Sequence, residues 1–216
     1  MPTTTRKPTA IRRDEIAQAV VSIIGAHGIT ALTTSRLATE VGLTSGALFR
    51  HFASQDDILR YATRRVVARL EATFPDATLP PAERIRALAA ARVRLLVSNP
   101  GVAWFVHSEQ SRLVLPADAA LHLRGLVDRT KAFLLAAIRE GAAEGTLRDD
   151  IDPNVLLVPV LGTIHALIGT SGPLRAGALR RLRPEAVLDG LMRLLAPPST
   201  TRRARSADRA TREENT

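Results

Sequence analysis

The chain has 216 residues, 45% of them hydrophobic, a formal net charge of +9 and no cysteine. That length supports one ordinary domain or two small ones with a real core. The lack of cysteine excludes disulfides and thiolate metal sites, and no apolar run approaches the ~18 residues of a membrane helix. Met1 to Ala10 is polar, without the apolar centre of a signal peptide, so a cytoplasmic protein is expected. The charge is unevenly placed. Residues 1–70 hold ten Lys/Arg against five Asp/Glu, and residues 71–196 hold fifteen against thirteen. A basic surplus favours polyanionic partners, although a solvated basic face accounts for it equally well.

Almost every segment is rich in Ala, Leu and Arg, which are strong helix formers. No segment alternates with period two, so the expected class is all-α, with about nine helices. The first helix spans Arg13 to His27, with an apolar stripe of Ile16, Ala19, Val20, Ile23 and Ile24. Gly28 ends it. A short helix follows from Thr34 to Val41, capped by Thr33 and ended by Gly42. Another runs from Ser45 to His51, capped by Thr44, and a longer one from Gln55 to Phe74. Pro75 to Pro81 holds three prolines and marks a boundary. Helices are then predicted from Pro81 to Ser98, Val102 to Arg112, Ala117 to Glu144, Asp152-Pro153 to Thr170, and Pro184 to Leu195. The tail from Ser199 is polar and reads as disordered.

The central motif is the pair of short helices joined by Gly42-Leu43-Thr44. Leu37, Ala38, Val41, Leu43 and Leu48 give the pair one apolar side. Gly42 permits the sharp turn that sets the second helix across the first. In a helix-turn-helix, the second helix enters the major groove behind its N-terminal residues. Here these are Thr44, Ser45, Gly46 and Ala47, small enough for close backbone approach to bases and phosphates. Arg50 and His51 add cationic or polar reach. Two-helix hairpins within bundles mimic this spacing.

The residues around the motif narrow that choice. The run Gly28-Ile29-Thr30-Ala31-Leu32-Thr33-Thr34-Ser35-Arg36-Leu37-Ala38, then Glu40-Val41-Gly42-Leu43-Thr44-Ser45-Gly46-Ala47-Leu48-Phe49-Arg50-His51-Phe52, with Ser54 and Leu59, resembles the tetracycline-repressor (TetR) family. The resemblance covers about Ile11 to Arg64. It implies an arm over 1–10, a DNA-binding domain over 11–74, a helical regulatory and dimerisation domain over 75–196, and a tail over 197–216. It further implies that Thr33, Thr34, Ser35 and Arg36 lie at the phosphate backbone. Thr44, Ser45, Gly46 and Ala47 would face the groove, with Phe49, Arg50 and His51 beside it. Two positions depart from the pattern. Phe49 stands where the family usually has Tyr, and Gln55 where it usually has Lys, so two phosphate contacts are lost. The basic residues Arg6, Lys7, Arg12 and Arg13 are the expected substitutes. Phe52 reads as core, and Arg60, Arg64, Arg65 and Arg69 as a solvated face.

Farther along, the helix after Asp152 is apolar nearly all round, and Gly162, Ala166 and Gly169 form a small-residue ridge. With Leu161, His165, Leu188, Leu191 and Leu195 these are candidates for a dimer interface, although both helices could equally be buried within one chain. The resemblance implies a four-helix bundle across a dimer axis. A homodimer matches a palindromic operator in duplex DNA with half-sites roughly 34–36 Å apart. Trp104, Phe105, His107, Glu109, Phe133 and His165 are candidates for a small-molecule effector pocket. No metal spacing, Gly-rich phosphate loop, nucleophile elbow or cofactor motif is present, and no catalytic residue is assigned. The expected function is a ligand-responsive repressor. The alternatives are an architectural or division-linked DNA-binding protein of the same fold, or an all-helical enzyme or interaction domain.

Overall fold

Helix α1 (Thr9–His27) buries Ile16, Val20, Ile23 and Ile24 along the expected stripe. It begins earlier than the predicted Arg13. Pro8 pre-sets the entry backbone, and its carbonyl accepts the Arg12 N–H at 3.1 Å. In this computed structural model, residues 8–169 and 183–198 are described. The arm residues Arg6 and Lys7, the predicted helix end at Thr170, the break Ser171-Gly172-Pro173 and the tail from Ser199 lie outside them. Gly28, at φ 77, ends α1 and leads into a single 3-10 turn, Ile29–Ala31. Three residues are too few to carry a periodic signal, so no sequence pattern marks that turn.

Helices α2 (Thr34–Glu40), α3 (Ser45–Leu48) and α4 (Gln55–Glu71) follow. Helix α3 is shorter than predicted: Arg50 and His51 lie beyond it. Their N–H groups donate three residues back, to Ala47 and Leu48 carbonyls at 3.3 and 3.0 Å. Helix α4 stops before Phe74, because Thr73 and Phe74 turn away through similar bonds to Leu70 and Glu71. The second half comprises α5 (Pro81–Val97), α6 (Pro100–His107), α7 (Glu109–Val114), α8 (Ala117–Ala143), α9 (Pro153–Ile168) and α10 (Pro184–Leu195). The described residues therefore hold ten α-helices rather than nine, and no strand. The predicted segment Val102 to Arg112 is divided at Ser108. That residue has extended backbone, and its hydroxyl accepts the Gln110 N–H at 3.2 Å, opening a new helix.

Pro75 to Pro81 interrupts the chain but not the core. One cluster of buried side chains runs from Ile16 in α1 to Leu195 in α10. Its tightest seam is the crossing of α1 and α6. A Cβ on Gly101 would stand 1.9 Å from the Val21 carbonyl oxygen, and one on Gly25 2.6 Å from the Gly101 nitrogen. Only glycine allows two backbones to meet so closely. Helix α4 lies along α8 and is tied to it twice. Arg60 pairs with Asp118 at 3.0 Å, and Glu71 pairs with Arg129. Arg69 adds a hydrogen bond to Asn99 Oδ1 at 2.7 Å. Arg60 and Arg69 are thus tethers between the two halves, not the solvated face expected for them.

Candidate nucleic-acid interface and regulatory half

The two short helices are set by local caps. Thr33 Oγ1 accepts the Arg36 N–H at 3.2 Å, and Thr44 Oγ1 accepts the Ala47 N–H at 3.1 Å. Each cap removes one unsatisfied donor from a helix start, worth about 1 kcal/mol. Between them Gly42 takes φ 66, and the Leu43 N–H donates to the Ala38 carbonyl at 2.8 Å. Leu37, Ala38, Leu48 and Phe52 are buried, and so is Ala47, which was expected to face the groove: the single turn of α3 directs its last two residues, Ala47 and Leu48, into the core. Thr33, Ser35, Arg36, Thr44, Ser45, Gly46, Phe49 and Arg50 are exposed on the outer side, while Thr34 and His51 are half-buried. Phe49 leaves 43% of its surface exposed. The enclosed Nδ1 of His51 lacks a hydrogen-bond partner among the described residues.

The cations of this half divide into two groups. Arg36 and Arg50 are exposed and make no ion pair among the described residues. Others are engaged within the protein. Arg12 pairs with Glu15 at 2.8 Å and donates to the Val41 carbonyl at 3.3 Å, pinning the turn of the motif to α1. Arg13 lies against two rings, 4.6 Å from the centroid of Phe52 and 4.7 Å from that of Tyr61. Arg65 pairs with Asp14, which also accepts from the Tyr61 hydroxyl at 2.7 Å. That bond to a carboxylate holds the phenol proton and raises the Tyr61 pKa. Arg12 and Arg13 therefore brace the module and do not stand free as substitute phosphate contacts. Gln55, the second departure from the expected pattern, donates from Nε2 to the Leu32 carbonyl at 3.5 Å.

In the second half, a cleft of about 350 Å³ opens between α6, α7 and α8. Its floor is apolar, with Phe105, Leu115, Leu123 and Val127, and Arg124 and Lys131 stand at its edge. Phe105 is the only predicted effector residue that lines it. Trp104 packs edge-on to Phe105 at 5.3 Å, and Phe133 packs against Phe74 at 5.3 Å. Glu109 is exposed and pairs with Arg112 at 3.4 Å. His107 and His165 meet edge to face, with ring centroids 4.6 Å apart. Burial, and then the neighbouring His165, push the His107 pKa down to about 4. Among the described residues the six predicted positions thus fall into separate contacts.

The predicted dimer residues separate in the same way. Leu188, Leu191 and Leu195 of α10 are 3%, 4% and 1% exposed and belong to the core of the single chain. Their helical spacing marks an inward face, and spacing alone does not distinguish a partner helix in the same chain from one in another. Gly162, His165 and Ala166 of α9 face outward, and Leu161 and Gly169 are half-buried. Exposed beside them are Val155 at 59%, Val158 at 69% and, on α10, Leu194 at 67%. The stripe Val155, Val158, Gly162 and Ala166 follows helical spacing and is left exposed among the described residues.

The same fold and motif occur in known proteins. A family model for bacterial regulatory proteins of the tetR family matches residues 16–62, and one for the tetracyclin repressor-like C-terminal domain matches residues 78–169. The nucleoid occlusion factor SlmA of Vibrio vulnificus is 30% identical over 159 residues, covering 71% of this chain and 80% of that protein. The chain belongs to the tetR family of bacterial regulatory proteins. The HTH-type transcriptional repressor KstR2 of Mycolicibacterium smegmatis is 25% identical over 197 residues, covering 88% of this chain and 95% of that one. Among solved structures, AibR in complex with isovaleryl coenzyme A and operator DNA superposes with a TM-score of 0.70 at 20% identity. That match covers 87% of this chain and 99% of AibR.

As a tetR-family member the chain is a DNA-binding transcriptional regulator with an N-terminal helix-turn-helix and a helical C-terminal domain. The first family match spans α1 to the first half of α4, so it contains the whole motif. The second match begins in the loop before α5 and ends just past α9. Residues that sequence reasoning passed over are those joining the two halves. Gly25, Gly101 and Asp118 carry no motif, and their partners lie far away in sequence. No helix of the described residues is long and apolar enough to cross a membrane.

Proposed function

We propose that the protein is a ligand-responsive repressor that binds a palindromic operator as a homodimer in the cytoplasm. The observation that carries this reading is the pairing pattern of the cations. Among the described residues Arg36 and Arg50 make no ion pair on the outer face of α2–α3, whereas Arg60 and Glu71 tie α4 to α8 and Arg69 ties it to Asn99. A polyanion attracts the first set through phosphate contacts. An effector in the α5–α8 region reaches the motif through the second set, because α4 links both. Coupling of this kind is typically worth about 1–3 kcal/mol and is reciprocal. The names of the relatives fit the reading: KstR2 is a repressor, and AibR was captured with both an acyl-coenzyme A and operator DNA.

The second copy is expected on the α9 stripe, extended by Leu194 of α10. A two-fold axis presents the same patch from each protomer, and the small residues Gly162 and Ala166 permit close helix approach. SlmA, named as a nucleoid occlusion factor, supports a second reading: chromosome organisation without an effector. Selection of bound fragments from genomic DNA tests both readings. A palindrome upstream of a few genes supports repression. Sites scattered across the chromosome, away from promoters, support the second reading. Monomeric binding to a single half-site, unchanged by Val158→Arg, would overturn the dimer.

A further inference from the structure

Helix α5 carries two arginines on its buried side, Arg84 and Arg92, each only 6% exposed. The fold treats them differently. Arg84 meets the carboxylate of Glu140 on α8. Arg92 meets no carboxylate among the described residues. Its one hydrogen bond runs from Nη2 to Thr130 Oγ1 at 3.2 Å, and that hydroxyl itself donates to the Leu126 carbonyl. The Nε of Arg92 is buried without a partner, as is that of Arg84, but of the two only Arg92 also lacks a counter-charge among the described residues. Its guanidinium carbon lies 5.3 Å from the centroid of the Phe74 ring, with Phe133 edge-on behind. A ring face attracts a cation but does not replace an anion. Burial lowers the Arg92 pKa only to about 10, so the side chain stays charged at neutral pH. Charged groups this deep in a protein are ordinarily paired.

We infer that Arg92 is the docking point for an anionic effector, a carboxylate carried on an apolar body, held between the end of α4, α5 and α8. This inference rests on the effector reading above and names the ligand class. A guanidinium matches a carboxylate with two parallel N–H donors, and Arg92 has donors to spare. Phe74 and Phe133 are both half-buried. They would form the apolar wall of the site. The cleft beside α7 is the weaker site for an anion, because its Arg112 and Lys131 already pair with Glu109 and Asp128 and its remaining cation, Arg124, is exposed, where water screens the attraction. The location also connects to DNA binding. Phe74 lies three residues past α4 and donates its N–H to the carbonyl of Glu71, whose side chain pairs with Arg129. An anion that draws Arg92 off the Phe74 ring frees the end of α4, the helix that follows α3 in the chain.

The test uses the full chain and measures the melting temperature with straight-chain and arylalkyl carboxylates. The matching primary alcohols and amides serve as neutral controls. Carboxylates are expected to raise the melting temperature, and alcohols and amides are not. Arg92→Met is expected to melt no lower than the parent, since it removes an unpaired buried charge. It should also lose the carboxylate effect, with affinity falling about tenfold or more. If Arg92→Met fails to fold, Arg92→Lys keeps the charge without the fork and is expected to weaken carboxylate binding while leaving the fold intact. The inference is overturned if alcohols stabilise as well as carboxylates, if the variants keep the full effect, or if no carboxylate stabilises the parent. Operator release, followed by fluorescence anisotropy, separates the two levels. Release by a neutral compound alone sinks the Arg92 site and leaves the effector reading. Carboxylate binding at Arg92 without release keeps the site and sinks the effector reading.

Discussion

The two ends of α4 lie in regions that use polar side chains in opposite ways. Around its start, hydroxyls of Thr33, Thr44 and Ser54 cap three helices, and the exposed cations Arg36 and Arg50 make no ion pair among the described residues. Along its length and toward its end, Arg60, Glu71 and Arg69 are bonded to α8 and to Asn99. A charge already paired inside the protein has little to offer a phosphate, and an unpaired exposed one loses only water. The contrast therefore separates a surface that meets another molecule from a frame that holds two halves together. It also corrects the inference from net charge. The basic surplus of residues 1–70 overstates the DNA-facing charge, because Arg12, Arg13, Arg60, Arg65 and Arg69 are occupied within the fold.

The strongest challenge to this contrast is charge reversal on the outer face. Ser45→Glu combined with Arg50→Glu is expected to weaken DNA binding by about 3–5 kcal/mol, more than a hundredfold, without a change in melting temperature. Binding unchanged at low salt would remove the DNA reading. The frame is tested next, at the seam. Gly101→Ala places a methyl group against the Val21 carbonyl and is expected to cost about 2–3 kcal/mol of stability by thermal unfolding. A neutral outcome would mean that the two halves are not held by that crossing.

A pH titration sharpens the comparison within the regulatory half. His107 has a folded pKa of about 4 against an ordinary value of 6.5, so folding favours its neutral form. Above pH 6.5 both states are neutral and stability is complete. Between pH 6.5 and 4 the unfolded chain takes up the proton first, and stability falls with pH. Replacing the group by His107→Met is expected to remove about 2 kcal/mol of that decline, read as a flatter plot of melting temperature against pH. The smallest expected effect is a gain. Phe49→Tyr restores a hydroxyl at an exposed position of the motif and is expected to tighten DNA binding by about 1 kcal/mol. No change in affinity would mean that this position does not approach a phosphate.

Local chemistry in the sequence is enough to place most helices. Thr33 and Thr44 cap α2 and α3 at the predicted positions, and Gly28 and Gly42 end their segments with positive φ. These signals are readable because the cap and the helix it serves are neighbours in the chain. The division at Ser108 was harder to see, since neither glycine nor proline marks it. The effector candidates illustrate the limit. Trp104, Phe105, His107 and Phe133 have the right chemistry for a pocket, but only packing decides which of them share one.

By itself, then, the sequence determined the all-helical class, the motif between Thr33 and Phe52, and the family to which both belong. Each depends on spacing and on contacts within a few residues. The tertiary structure decided the rest. It turned Leu188, Leu191 and Leu195 inward and left Val155 and Val158 outside. It paired Arg60 with Asp118 and Arg84 with Glu140, and gave Arg92 no carboxylate among the described residues. Burial and charge pairing are properties of residues brought together from distant parts of the chain, so no local pattern encodes them.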